Sequence, residues 1–159
     1  MVNPKAVPNK SVAVVACMDV RLDPMKIFGF NLGEAHIMRN AGGVVTDDVL
    51  RSLAISQSKM NTKEIWLLHH TDCGMLGLDN EEFLDELEAS TGVRPGWNPH
   101  GFQDVEKDVV DSYQKLVDDP HVDASRVRGF IFDVHSGQLH EISLGGMESH
   151  KLPSAQFLD

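Results

Sequence analysis

Cys17, His70 and Cys73 are the residues of this chain best suited to hold a metal ion, and they lie in two short segments. One reads Ala16-Cys17-Met18-Asp19-Val20-Arg21 and the other Leu67-Leu68-His69-His70-Thr71-Asp72-Cys73; together they contain both cysteines. Zinc accepts thiolate and imidazole in a tetrahedron, at about 2.3 Å to sulfur and about 2.0 Å to nitrogen. His70-x-x-Cys73 places two ligands one turn apart, and Cys17 supplies a third. Three protein ligands leave a fourth position for water, and zinc lowers the pKa of that water to about 7. Asp19 and Arg21 follow Cys17 by two and four residues, so along an extended loop they share its face. Arg21 can hold Asp19 through a bidentate pair. Asp19 then either orients the water or displaces it as a fourth ligand and closes the site.

Taken singly, these features are ordinary. A buried cysteine at a strand end is usually a small hydrophobe, and an exposed Asp–Arg pair contributes little. A purely structural metal site needs neither Asp19 nor Arg21. A thiol redox protein would carry C-x-x-C, which is absent here. His69 is expected on the opposite face of its strand from His70, packed or hydrogen-bonded there. The remaining histidines, at 36, 100, 121, 135, 140 and 150, are scattered and read as structural or solvated.

The elements that must position the two segments follow from the hydrophobic pattern. Ser11 to Ala16 is a continuous, largely β-branched run, as in a strand buried on both faces, with Cys17 to Asp23 the loop at its C-terminal end. Asp23 and Pro24 suit the N-cap and first position of a short helix to about Phe28. Ala35 to Arg39 is a second strand, followed by a loop, Asn40-Ala41-Gly42-Gly43. Thr46 caps a helix to about Met60, with Asp47 and Asp48 at its positive end. Glu64 to His69 is the third strand. Helices are predicted over Asp79–Ala89, with Phe83, Leu84 and Leu87 apolar, and over Val105–Val117, with Val109, Tyr113, Leu116 and Val117 inward. Val127 to Val134 is a fourth strand, and Gln138 to Ser143 pairs back on it as a hairpin. Strands alternating with helices imply an α/β fold with a mostly parallel sheet and an antiparallel last strand. Ligands of such sheets sit beyond the carboxyl ends of the strands, where the order reverses. Cys17 and His70 end strands one and three, so neighbouring strands would bring them together.

Composition restricts the alternatives. A chain of 159 residues is one domain by size, and 42% hydrophobic residues suit a globular core. We divide it into an arm at 1–10, a catalytic domain at 11–144 and a tail at 145–159. A net charge of -10 opposes nucleic acid and anionic lipid as partners. No apolar run approaches the roughly 20 residues of a membrane span, and the N-terminus lacks the apolar core of a secretory signal. Two cysteines are too few for a disulfide framework, so the expected location is cytoplasmic.

Taken jointly, Cys17-x-Asp19-x-Arg21 and His70-x-x-Cys73, with Arg39-Asn40-Ala41-Gly42 between them, resemble the β-class carbonic anhydrases. The resemblance extends to the helix from Asp47 to Ser58 and to Gly129-Phe130-Ile131-Phe132-Asp133 with its hairpin, and so spans most of residues 11–143. It implies zinc on Cys17, His70 and Cys73, an Asp19–Arg21 dyad, and sheet order 2-1-3-4 with an appended edge strand. It also implies a homodimer or a dimer of dimers, with the site near the subunit interface. Only ten residues precede the first strand, and the chain is short between Cys73 and the fourth strand. It therefore resembles the compact branch, which includes hydrolases of carbonyl sulfide and carbon disulfide. The implied reaction is attack of zinc-bound hydroxide on the carbon of a small linear substrate. Carbon dioxide would give bicarbonate; carbonyl sulfide would give thiocarbonate, which decays to carbon dioxide and hydrogen sulfide. Asp19 would accept a hydrogen bond from the hydroxide and Arg21 would keep Asp19 ionised. Backbone groups of Ala41, Gly42 and Gly43 would border the substrate pocket, because glycine allows close approach.

Overall fold

A computed structural model describes residues 7–145. Most of the N-terminal arm and nearly all of the tail, His150 included, lie outside the described residues. The chain runs β1 (Val12–Cys17), α1 (Pro24–Ile27), β2 (Ala35–Asn40), a 3₁₀ turn (Ala41–Gly43), α2 (Asp47–Met60), β3 (Glu64–His70), α3 (Asn80–Thr91), α4 (Val105–Asp118), β4 (Val127–Phe132) and β5 (Leu139–Ile142). The five strands form one sheet in the order β2-β1-β3-β4-β5. β1 pairs in parallel with β2 and β3, β3 in parallel with β4, and β5 runs antiparallel to β4. The expected order and the antiparallel edge strand are both present.

β1 is buried along its whole length because it lies inside the sheet with both faces covered. Its alternate side chains enter two separate cores. Ala13 and Val15 join Ile65, Leu67 and Ile131 beneath Val49 and Leu53 of α2 and Val109 and Leu116 of α4. Val12, Val14 and Ala16 join Leu68, Phe130 and Phe132 on the other face, with Leu22, Ile27 and Phe102. Each fully buried aliphatic side chain contributes about 1.5–3 kcal/mol, so the strand carrying Cys17 is among the most firmly held in the molecule.

Helix ends follow local chemistry. The side chains of Asp23, Thr46, Asp79 and Asp104 accept hydrogen bonds from the first turns of α1 to α4. α2 and α3 stop at Asn61 and Gly92, both left-handed. Two expectations about helix faces are corrected. In α4 Val109, Ser112 and Leu116 are buried and Tyr113 packs half-buried against the same core, while Val117 is 48% exposed. The buried row follows three- and four-residue steps, and Val117 falls one step beyond it. In α3 only Leu84 is buried, and Phe83 and Leu87 are half-buried.

Candidate metal centre

The fold brings the two segments together at the carboxyl ends of adjacent strands. Ala16 lies opposite Leu68 in the β1–β3 ladder, so Cys17 and His70 leave neighbouring strands on the same edge. Cys17, His70 and Cys73 are all buried, and their ligand atoms lie within 4.8 Å of one another. The two sulfurs are 3.9 Å apart. A tetrahedral ion with bonds of about 2.3 Å to each sulfur requires a separation of about 3.8 Å, whereas a disulfide requires about 2.05 Å. The pair is spaced for a metal. His70 Nδ1 donates to the Thr71 carbonyl at 2.8 Å, since a carbonyl can only accept, which leaves Nε2 as the lone-pair nitrogen. That Nε2 is buried and has no hydrogen-bond partner. A buried, unpartnered nitrogen facing two sulfurs fits a zinc ligand set.

Close approach of backbone holds the cysteine ends in place. Gly43 has φ +68°, and a Cβ there would lie 2.7 Å from the Cys17 nitrogen and 2.9 Å from the Ala16 carbonyl carbon. Only glycine fits. At Gly42, φ +85°, an added Cβ would press on Met75 and Phe102 at 3.2 Å. Gly42 and Gly43 are thus buried against the two segments, and Ala41 lines a cavity of about 450 Å³ with Arg39, Asn40, Thr46 and Ser52.

Electrostatics separate the two thiols. The hydrogen bond from Cys73 is the main cause that holds Cys17 down at about 4, against burial, with His70 and the amides of Asp19 and Gly42 helping. Cys73 is pushed up by the same shared proton and by burial. At His70, burial favours the neutral ring, but Cys17, the Thr71 carbonyl and Asp19 together outweigh it and raise the pKa.

Asp19 and Arg21 meet through a tight turn rather than an extended loop. The Leu22 amide donates to the Asp19 carbonyl at 3.0 Å, and the Arg21 amide to Asp19 Oδ1 at 2.9 Å. The guanidinium closes a bidentate pair, Nε to Oδ1 at 2.9 Å and Nη2 to Oδ2 at 2.8 Å. Arg21 holds the Asp19 carboxyl far below the usual carboxylate range, chiefly through these hydrogen bonds. Asp19 Oδ2 lies 3.8 Å from His70 Nε2, so the carboxylate faces the ligand cluster from Arg21's grip.

Two sets of contacts were not foreseen from the sequence. Arg21 also donates to Asp72, from Nη1 to Oδ2 and from Nη2 to the carbonyl, each at 2.8 Å. It therefore ties the Cys17 segment to the Cys73 segment. Arg39 donates to the Cys17 carbonyl at 3.0 Å and the Asp19 carbonyl at 2.8 Å. Its place in the Arg39–Gly42 motif was the available signal. His69, on the opposite face as expected, meets Asp108 of α4 at 2.7 Å. Of the other histidines, His36 bonds Ser56 at 2.7 Å, while the side chains of His121 and His135 are 80% and 75% exposed.

The chain is similar to known proteins. A family model described as carbonic anhydrase matches residues 12–91. Beta-carbonic anhydrase 1 of Mycobacterium tuberculosis is 50% identical over 137 residues, which cover 86% of this chain and 84% of that one. A carbon disulfide hydrolase of Acidithiobacillus thiooxidans is 32% identical over 154 residues, covering 82% of this chain and 76% of the other. Among solved structures, a carbonic anhydrase from Streptococcus mutans superposes with TM-score 0.81 at 41% identity, covering 86% of this chain and 84% of that one. The apo form of a carbon disulfide hydrolase superposes with TM-score 0.75 at 26% identity, covering 92% and 89%.

Proposed function

This chain belongs to the β-carbonic anhydrase family, in the compact branch that also holds carbon disulfide hydrolases, and from that premise we propose that it is a zinc enzyme hydrating carbon dioxide to bicarbonate. The observation that carries this reading is the buried Cys17–His70–Cys73 cluster with the Asp19–Arg21 pair beside it. Cys17, His70 and Cys73 would hold the ion. When bound, zinc supplies a Lewis acid that makes a water nucleophilic near neutral pH.

The chain's own residues do the rest. Asp19, ionised and clamped at both oxygens, accepts a hydrogen bond from the attacking water and aims its lone pair at the substrate carbon. Arg21 holds that carboxylate in place and anchors it to Asp72 across the two segments. Arg39 fixes the backbone of residues 17 and 19 from β2. The Gly42 backbone helps hold the Cys17 thiol down, and the glycine lets the following loop close over the strand ends. In this reading Ala41, Gly42 and Gly43 also border the substrate, and residues 11–144 form the catalytic domain.

The working unit we propose is a homodimer or a dimer of dimers. Met18 and Val20, 61% and 98% exposed beside the site, are apolar surface that a second copy would cover. A cytoplasmic setting would keep the thiol ligands reduced. No helix among the described residues is long and apolar enough to cross a membrane.

A second reading, hydrolysis of carbonyl sulfide, uses the same residues and is favoured by the likeness to carbon disulfide hydrolases. Metal analysis of the purified protein should give about one zinc per chain, and rates on carbon dioxide and carbonyl sulfide should be measured side by side. Faster turnover of carbonyl sulfide would replace the first substrate by the second. Full activity in a zinc-free protein would overturn both.

A further inference from the structure

We propose that His69 and Asp108 are positioning residues for the metal centre, acting through Phe102 on the segment that carries Cys73. The proposal rests on the zinc reading above. On the inner face of β3, Ile65 and Leu67 are fully buried aliphatic residues, and His69 follows at the same two-residue spacing. A further aliphatic residue would satisfy packing there. Instead the position holds a histidine that is 1% exposed. Its Nε2 donates to Asp108 Oδ2 at 2.7 Å, since a carboxylate accepts, and its Nδ1 is buried without a hydrogen-bond partner. A half-satisfied buried imidazole against a carboxylate costs the fold stability relative to an apolar side chain. Fold alone does not account for the pair.

What the pair does is hold a ring. The His69 and Phe102 rings lie 5.9 Å apart. Phe102 in turn clips the residues just after Cys73. Its amide donates to the Met75 carbonyl at 3.2 Å, its carbonyl accepts from Gly77 at 2.7 Å, and Leu76 and Phe102 form an isolated parallel bridge. The amide of Leu76 closes a turn back onto the Cys73 carbonyl at 3.0 Å. The edge of the same ring lies 3.2 Å from where a Cβ on Gly42 would fall, and Gly42 leads directly into Gly43, which packs on the Cys17 backbone. A continuous path therefore runs from the first turn of α4 through Asp108, His69 and Phe102 to both cysteine segments. Asp108 suits its end of that path because the positive end of α4 favours a carboxylate there.

The test uses the full chain loaded with zinc, with Asp108→Ala, Asp108→Asn, Phe102→Leu and the double variant Asp108→Ala/Phe102→Leu. The rate of zinc loss to an excess of chelator is measured, together with the visible spectrum of the cobalt(II)-substituted protein and the Tm of the metal-free protein. Asp108→Ala and Phe102→Leu should each speed zinc loss about tenfold, at the lower end of what outer-shell changes do, and should shift the cobalt bands. Asp108→Asn, which keeps an acceptor for His69, should recover most of the wild-type rate. The double variant should lose zinc no faster than the faster single variant, because the two residues act in series. Zinc loss within about twofold of wild type, an unchanged cobalt spectrum, or effects that multiply in the double variant would overturn the proposal. So would zinc loss that merely tracks the Tm of the metal-free protein. A wild-type chain that takes up no zinc would instead overturn the zinc reading itself.

Discussion

Gly43→Ala should damage the fold and the metal centre together, because one methyl group would be driven into the backbone that carries Cys17. The added Cβ would lie 2.7 Å from the Cys17 nitrogen, 2.9 Å from the Ala16 carbonyl carbon and 3.2 Å from the Leu68 carbonyl oxygen. Ordinary contact begins near 3.4 Å, so relief requires a shift of about 0.7 Å against the sheet. All three atoms belong to the interior strands β1 and β3 or their ends, which have little room to move. The left-handed backbone costs an alanine about 1–2 kcal/mol, and overpacking a rigid site adds about 1–3 kcal/mol. A total near 3 kcal/mol lowers Tm by about 6–12 °C for a chain of this size. Gly92→Ala provides the control. It has a similar backbone angle, φ +79°, at the end of α3, but nothing within 4 Å of its added Cβ. It should lose only the conformational part, about 1–2 kcal/mol or about 2–8 °C. Zinc content per chain, measured on both variants, should fall in Gly43→Ala alone. If the two variants melt within about 2 °C of each other and bind zinc equally, the close packing of Gly43 on Cys17 is not what fixes the ligand.

Asp19→Ala should retain zinc, since Asp19 is not among the three ligands proposed, yet lose about 100-fold or more in turnover; metal analysis beside steady-state rates checks it. Cys73→Ser should abolish tight zinc binding, measured by dialysis against a chelator. Leu116→Ala should cost about 2–5 kcal/mol as a fully buried leucine, and Val117→Ala no more than about 0.5 kcal/mol; urea midpoints decide. Asp133 is held down at about 2, chiefly by the His135 amide, with Ser136 and Thr71 adding to it. Its folded pKa lies below the ordinary value of 3.8, so its stabilisation is complete above that value and disappears as pH falls through about 2. The difference in urea midpoint between wild type and Asp133→Asn should therefore shrink across that window, and a constant difference would show that charge at Asp133 is not the cause.

Much of the frame is readable from local pattern. β1 is a run of apolar residues because it is covered on both faces, and helical capping by Asp23 and Thr46 depends on residues three positions away or fewer. The order of the sheet followed from the family resemblance, and the meeting of Cys17 with His70 followed from strand ends placed side by side. The misreadings lie where burial depends on what packs from elsewhere. Val117 is as apolar as Val109, but α4 presents one row to the sheet and Ser112 lies in that row. A hydroxyl in that position is invisible to a hydrophobic pattern. The Asp19–Arg21 pair was legible as a pair, but its shape was not. The side chain of Asp19 accepts the Arg21 amide and closes the turn, a local competition between side chain and backbone that spacing does not reveal.

The contacts that hold the two ligand segments in register are long-range, and for that reason they carry no periodic signal. Arg21 reaches Asp72 across 51 positions and Arg39 reaches Cys17 across 22. Each is a guanidinium bound to oxygens: Arg39 braces the end of β1 at Cys17, and Arg21 removes freedom from the loop that leads to Cys73. Loose loops beside those strand ends would have to pay their ordering entropy when the ion binds. Here Arg21, Arg39, Gly43 and the pairing of Leu76 with Phe102 fix those loops through contacts made by the protein itself. The sulfurs already stand 3.9 Å apart, close to the separation that a tetrahedral ion demands. The site is therefore preorganised by the fold, and weakening any one of these ties should appear first as faster metal loss.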